Sequence, residues 1–362
     1  MKQQDFDEYI RQVEPSAQES ANAWKTAIGL QAVDGLKPSA YLLETAKQNI
    51  DGDITIDEVR ELLDTYYRSK TIRTEQDYET EEADKVSANI KKILSSKTLA
   101  FNTNGLISVH RRIFEGVFKY AGEVRKFDIT KKEWVLKGDT VRYLNWEDIR
   151  RAVDFDIQQE REFSYKGLSD EEKVKHICRF VSGLWQIHPF REGNTRTTAV
   201  FTIQYLRSIG YKVNNEMFAD YSWYFRNALV RANYKNSALD VDCDYSFLER
   251  FFQNLLMGTK HELKNRYLVI AAPDGWSAQN DTHGVGNDTQ SRENDTHISD
   301  IPKKAELDKW IEIQIRKNPK ITTEKLASMS QRSIITIKRH IAKLDNIRFV
   351  GSGFSGHWDV ID

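Results

Sequence analysis

The chain has 362 residues, 40% of them hydrophobic and 11% aromatic, which suits two or three domains with sizeable cores. Lysine and arginine number 53 against 54 acidic residues, so a net charge of −1 gives no global pull toward nucleic acid. A mean hydropathy of −0.62 and 30% charge mark a soluble chain, and no run approaches the ~18 apolar residues that span a bilayer. The acidic opening MKQQDFDEYIRQVEP is unlike a signal peptide. Two cysteines, Cys178 and Cys243, suggest no disulfide framework. The expectation is a cytoplasmic protein that does not engage a membrane.

Residues 1–70 are polar and helical in pattern: Trp24, Ala27, Ile28 and Leu30 precede the turn DGLKPS at 34–39, a helix resumes over 41–49, and the turn DGDIT at 51–55 leads into another over 57–67. Amphipathic helices continue from Glu79, including 106–118 with Ile107, His110, Ile113 and Phe114, and YAGEVR at 120–125 closes that helix with a glycine. The stretch TKKEWVLKGDTVRY then gives two short β-prone runs around Lys137, Gly138 and Asp139, which predicts a hairpin.

Over 171–185 the residues Val174, Ile177, Cys178, Val181, Leu184 and Trp185 have the spacing of a helix burying one face, with a capping box from Ser169 to Glu172. Pro189 and Gly193 break the pattern, and Val200, Phe201, Ile203 and Leu206 begin a second helix that Gly210 can terminate. Between the two helices lies IHPFREGNTRTT at 187–198. A tight loop feeding a helix N-terminus is a ready anion cradle, because several backbone N–H groups lack intrahelical partners there and the dipole is positive. Gly193 lets a phosphate approach the backbone, Asn194 adds an amide donor and Arg196 a bidentate cation. Glu192 is a hard oxygen ligand suited to Mg²⁺ held between a carboxylate and substrate phosphates. His188 at the loop entrance can accept a proton near neutral pH. Base, metal ligand and anion hole together describe attack of a hydroxyl on a phosphate, with Phe190 as a core anchor.

Further on, WYFRNALVRANY at 223–234 reads as a helix whose Arg226 and Arg231 are surface or ion-pair residues; Asn227 and Asn233 are candidates to touch a nucleotide base. Residues 273–300 turn to Gly, Asn, Asp, Thr and Ser, with Asn-Asp-Thr recurring at 280, 287 and 294, and read as a flexible linker. Residues 301–362 form another module: one helix around Leu307, Trp310, Ile311 and Ile315, a short one over 323–329, a third around Ile334, Ile337, Ile341 and Leu344, and a tail that alternates as a hairpin. Three helices and a hairpin resemble a winged helix-turn-helix. Twelve basic against seven acidic residues give this module +5, leaving −6 on residues 1–300. Arg332, Arg339 and Lys343, with Thr336 and His340, fall opposite the apolar stripe of the third helix, where a recognition helix would meet DNA; docking of a protein is the equal alternative.

The stretch at 187–198 resembles the signature of the Fic domain family through His188, Pro189, Phe190, Glu192, Gly193, Asn194 and Arg196, and departs from it with Thr195 in place of Gly and Ala199 in place of a second Arg. The resemblance implies a mainly α fold, a Fic-type helical bundle with a β-hairpin flap, followed by the winged helix-turn-helix. It implies four parts: an antitoxin-like helical segment at 1–70, a catalytic domain at 71–272, the linker at 273–300 and the C-terminal module at 301–362. The implied activity is transfer of AMP from ATP, with Mg²⁺, to a Tyr, Thr or Ser hydroxyl of a target protein. His188 would be the base and Glu192 the metal ligand, with Phe190, Gly193, Asn194, Thr195 and Arg196 around the nucleotide. Trp134, Val135 and Leu136 on the flap would lie nearest the target. Another nucleotide donor, phosphoryl transfer, or a DNA-binding regulator with a silent Fic domain are alternatives, and a homodimer is left open. The family's inhibitory glutamate pairs with the second Arg, and here Asp34 would face Ala199, so the N-terminal segment is expected to be structural or weakly inhibitory.

Overall fold

The computed structural model describes residues 1–96, 98–213 and 216–270, and parts of 307–360; the linker expected at 273–300 lies outside the described residues. Two compact units are present, Met1–Asp128 with Lys132–Asn294, and Ile129–Lys131 with Asp295–Asp362. The expected break near residue 70 is absent at this level, since the N-terminal helices belong to the first unit.

The first unit is helical: α1 (Gln3–Gln12), α2 (Gln18–Gly29), α3 (Ala40–Asp51), α4 (Ile56–Ser69), α5 (Glu75–Leu94), α6 (Thr103–Phe114), α7 (Ile149–Glu162), α8 (Asp170–Ile187), α9 (Asn194–Ser208), α10 (Glu216–Asp220), α11 (Ser222–Ala232) and α12 (Ser246–Met257). Local chemistry sets many boundaries. Capping boxes start α4 at Thr55 and Glu58, α5 at Thr74 and Asp77, and α8 at Ser169 and Glu172. None of these helices is long and apolar enough to cross a membrane.

The helices α1 to α4 share a core in which Phe6, Trp24, Leu42, Val59 and Leu63 are fully buried, and Ala88 of α5 completes it. A buried carboxylate ties this lobe to α5. Asp84 accepts from the Ser39 backbone N–H at 2.8 Å, from the Ser39 hydroxyl, and from the Tyr67 hydroxyl at 2.6 Å. Burial pushes its carboxyl up to about 6 despite those donors.

The helix at the centre is α9. Every residue from Asn194 to Leu206 is buried, including Thr202 and Gln204, because α5, α6 and α8 all pack on it. Its polar residues therefore point into protein, and a one-sided apolar stripe was never required.

Two expectations fail in this unit. The helix placed at 106–118 ends at Phe114. The flap hairpin is a 3-10 turn, Trp134–Leu136, with Val135 and Leu136 buried and Trp134 half-buried. The alternation of Trp, Val and Leu with polar residues fits a strand, but burying two adjacent apolar side chains on one side requires the chain to curl. The Val135 carbonyl accepts from the Ile270 N–H at 2.9 Å, so the backbone is occupied there and offers no open edge for a strand to join.

In the second unit, α13 (Leu307–Lys317) and an antiparallel pair, β1 (Ile347–Val350) with β2 (His357–Val360), enclose a core around Ile311, Ile315, Leu326 and Ile337. The expected terminal hairpin is thus present in register Ile347 to Val360. Arg332, Arg339 and Lys343 lie outside the described residues. His340, expected on the exposed face, instead has its Nδ1 2.6 Å from Asp308 of α13.

Candidate active site

The helix α8 ends where His188 adopts a left-handed conformation, φ 50°, and its N–H bonds to the Trp185 carbonyl. The expected loop-entrance histidine is closed off, 2% exposed. Its ring lies 4.1 Å from the Tyr143 ring and edge-on to Trp185 at 5.1 Å. Nδ1 is 3.2 Å from the Trp185 carbonyl, which can only accept, so Nδ1 carries the hydrogen and Nε2 the lone pair.

Arg125, which the sequence reading passed over within YAGEVR, fixes this corner. Its side chain donates to the carbonyls of Ile187 and His188, at 3.3 and 2.8 Å, and its own N–H to Pro189 at 2.9 Å. A guanidinium on the last carbonyls of a helix satisfies acceptors the helix leaves open.

Phe190 is 1% exposed and stacks on His110 at 3.8 Å, the anchor expected of it. The Gly122 N–H donates to His110 Nδ1 at 2.8 Å, so Nε2 carries the hydrogen and donates to the Glu192 carbonyl at 3.1 Å. Burial lowers this imidazole to about 3 and keeps it neutral. Asn194 differs from its expected role. Its side-chain oxygen accepts from the Phe190 N–H at 2.9 Å and its amide donates to the Phe190 carbonyl at 2.7 Å, so both ends staple the loop. Gly193 has φ +71°, and a Cβ there would meet the Phe114 ring at 2.0 Å. Thr195 turns inward, its hydroxyl accepting from Trp185 Nε1 at 2.9 Å, which explains how the loop tolerates a β-branched residue at this position. Ala199 is fully buried.

Arg196, 2% exposed, is where the N-terminal lobe reaches the motif. Nε is 2.6 Å from Asp34, one terminal nitrogen donates to Glu82 of α5 at 2.8 Å, and the other to the Gln31 side chain at 3.1 Å. The guanidinium also lies 4.8 Å over Phe114. Burial opposes its charge, but Asp34, Glu82 and Glu192 outweigh that and hold it above the ordinary range. Glu82 is itself raised, by burial first and then by Asp34 and Glu192. The pairing expected to be lost with Ala199 is made by Asp34 with Arg196 instead. Glu192 is half-buried within the same field of charge. Among the described residues no three His, Cys, Asp or Glu side chains gather as a metal cage.

The other candidates are engaged elsewhere. Arg226 pairs with Glu133 at 3.0 Å, and Arg231 donates to the Leu268 carbonyl at 2.9 Å. Asn227 donates to Asn265 and Asn233 to Ser182, at 2.9 and 2.8 Å.

A left-handed histidine ending one helix, a carboxylate, and a glycine-led N-terminus of a buried second helix thus come together on a helical scaffold. Residues 100–206, under a third of the chain, match the model described as the Fic/DOC family. It is similar to protein adenylyltransferase VbhT of Bartonella schoenbuchensis, 30% identical over 115 residues, 32% of this chain and 23% of that protein. It is also similar to the probable protein adenylyltransferase Fic of Salmonella typhimurium, 27% identical over 119 residues, 33% of this chain and 56% of that one. The matched region thus spans about a quarter and just over half of these relatives. Among solved structures, the N-terminal Fic domain of a VirB-translocated effector from Bartonella sp. AR 15-3 aligns with TM-score 0.40 at 20% identity, covering 51% of this chain and 84% of that one.

Proposed function

We propose that this protein transfers AMP from ATP to a Tyr, Thr or Ser hydroxyl of a target protein. The observation that carries the reading is the placement of His188: its Nδ1 lies 3.2 Å from the Trp185 carbonyl, so in the neutral ring Nε2 is the basic nitrogen, four residues before Glu192 and shortly before α9 begins at Asn194. The target hydroxyl loses its proton to Nε2 as its oxygen bonds to the α-phosphorus. The bond from that phosphorus to the bridging oxygen breaks, and pyrophosphate leaves with the electron pair. The first-turn N–H groups of α9 and the Arg196 guanidinium stabilise the charge on the phosphate oxygens. Glu192 would hold Mg²⁺, which when bound neutralises charge on the substrate phosphates. Another diphosphate-containing donor remains the alternative, because Ala199 offers no guanidinium for a terminal phosphate.

The geometry also changes the reading of the N-terminal segment. Arg196 is already balanced by Asp34 and Glu82, so a phosphate that takes Arg196 must displace a buried ion pair. We therefore read Asp34 as a brake acting on the first arginine of the motif. Removing residues 1–50 would also strip Phe6, Trp24 and Leu42 from a shared core, so a point substitution is the cleaner probe.

The test uses full-length protein with Mg²⁺ and ATP labelled at the α- or γ-phosphate, with cell lysate as the source of targets. Protein-bound α-label is expected, absent in His188→Ala and raised by roughly 5- to 150-fold in Asp34→Ala, the span of ordinary coupling free energies. Transfer of γ-label would make the enzyme a phosphotransferase. Absence of both labels in the native chain and in Asp34→Ala would refute ATP as donor. For the C-terminal module, docking to DNA through Arg332, Arg339 and Lys343 is part of the same proposal; salt-dependent retention on duplex DNA, lost in the Arg339→Ala, Lys343→Ala double variant, is its check.

A further inference from the structure

The His188 imidazole is packed by a residue that no motif marks. Tyr143 lies in the loop before α7, is 7% exposed, and stacks on the imidazole with a centroid separation of 4.1 Å and a tilt of 36°. Its position is itself fixed at the far end. The Tyr143 hydroxyl donates at 3.1 Å to Glu133, which is fully buried, and the other oxygen of that carboxylate is 3.0 Å from Arg226 of α11, 5% exposed. A carboxylate with no solvent exposure is expensive to maintain, and hydrogen bonding from Tyr143 together with the Arg226 charge offsets that cost. The backbone around Glu133 is held as well, its N–H donating to the Asp139 carbonyl at 2.9 Å, while Asp139 accepts from Tyr234 at 2.6 Å.

Trp185 and the Tyr143 ring both bound the imidazole, but they differ in kind. Trp185 belongs to the helix that carries His188 and moves with it. Tyr143 comes from a separate loop and is referenced to α11 through Glu133 and Arg226. Rotation about the His188 side-chain torsions is therefore opposed by a ring whose own place is set from outside the motif.

We propose that Tyr143, Glu133 and Arg226 form a positioning relay that fixes the His188 imidazole for catalysis. The alternative for a ring lying over a closed histidine is a gate that leaves to admit substrate. A gate would have to break the Tyr143 hydrogen bond to the buried Glu133 carboxylate in each turnover, whereas a positioning ring keeps it. The two roles predict opposite signs. This inference rests on the adenylyl-transfer reading only where rates are concerned; the placement of the ring is testable without any activity.

The first measurement is NMR of the full-length protein, with the His188 ring protons assigned by their loss in His188→Ala. In the native chain the stacked Tyr143 ring should shift them upfield. Tyr143→Phe keeps the ring and removes only its anchor, and Glu133→Gln alters the anchor without touching His188. Both are expected to reduce the upfield shift and broaden the signals, as the phenyl or phenol ring samples other orientations. Unchanged shifts and widths in both variants would overturn the relay, whatever reaction the protein catalyses. The second measurement is steady-state transfer. Tyr143→Phe should lower kcat with little change in the nucleotide KM, and Tyr143→Ala should lower it further, on the order of 100-fold, as expected for a misplaced base. A rise in kcat for Tyr143→Ala would identify a gate and refute positioning. Should Glu133→Gln fold poorly, Glu133→Gln with Arg226→Gln removes the stranded charge, and the same loss of ring shift is required of it.

Discussion

The stretches 188–196 and 133–143 meet at the His188 imidazole, yet they are held differently. Beside the distant holds from Arg125 and His110, the motif loop carries braces of its own: Asn194 bonds both backbone groups of Phe190, Thr195 bonds Trp185, and the His188 ring bonds the Trp185 carbonyl, all within ten residues. The 133–143 loop relies on Arg226, Tyr234 and Ile270, each more than ninety residues beyond the group it bonds. A loop that carries its own braces leaves a recognisable string in the sequence. One that borrows them leaves residues that look like a surface hairpin.

That contrast can be broken at the distant end with the largest effect. Glu133→Ala strands the buried Arg226 charge, and a loss of about 3–5 kcal/mol in chemical denaturation is expected. Replacing the pair together by residues of similar volume, Glu133→Leu with Arg226→Met, should recover most of it, because the cost lies in the unpaired charge. If the double variant is no better than the single, the pair contributes through shape and not charge.

Within the motif loop, Gly193→Ala imposes a side chain at φ +71° with its Cβ against the Phe114 ring. A loss of roughly 2–4 kcal/mol is expected, from backbone strain and overpacking. A variant as stable as the native chain would show that Phe114 yields freely. The smallest effect should follow Thr195→Gly, which restores the residue usual in the family pattern. It leaves Trp185 Nε1 without its acceptor and puts glycine in the first turn of α9, a cost of about 1–2 kcal/mol in thermal or denaturant unfolding. Stabilisation instead would mean the departure from glycine serves the nucleotide and not the fold.

These residues also mark how far the sequence could be read. The helices at 171–185 and 223–234, the capping box at Ser169, the anchor Phe190 and the loop between α8 and α9 were legible because helical periodicity and capping are local. His188 was read at the loop entrance, and its burial was not legible, since Tyr143 reaches it from a different loop. Asn194 was read as a phosphate donor because an amide in a glycine loop suits that role; which way it turns depends on the backbone it can bond. The flap was read as a hairpin because alternation and a Lys-Gly-Asp turn are strand signals, and packing against Ile270 overrode them.

By itself the sequence determined the helical elements and the order of histidine, carboxylate, glycine and arginine around one loop, from which the proposed phosphate chemistry follows, because each depends on residues a few positions apart. Only the tertiary structure decided the partners of Arg196. Gln31 and Glu82 lie 165 and 114 residues from Arg196 along the chain, Asp34 stands close to Gln31, and no periodicity links them to the motif. Burial supplied the selection. A guanidinium inside the protein must be met by opposite charge, and the fold alone determines which carboxylates are near enough to meet it.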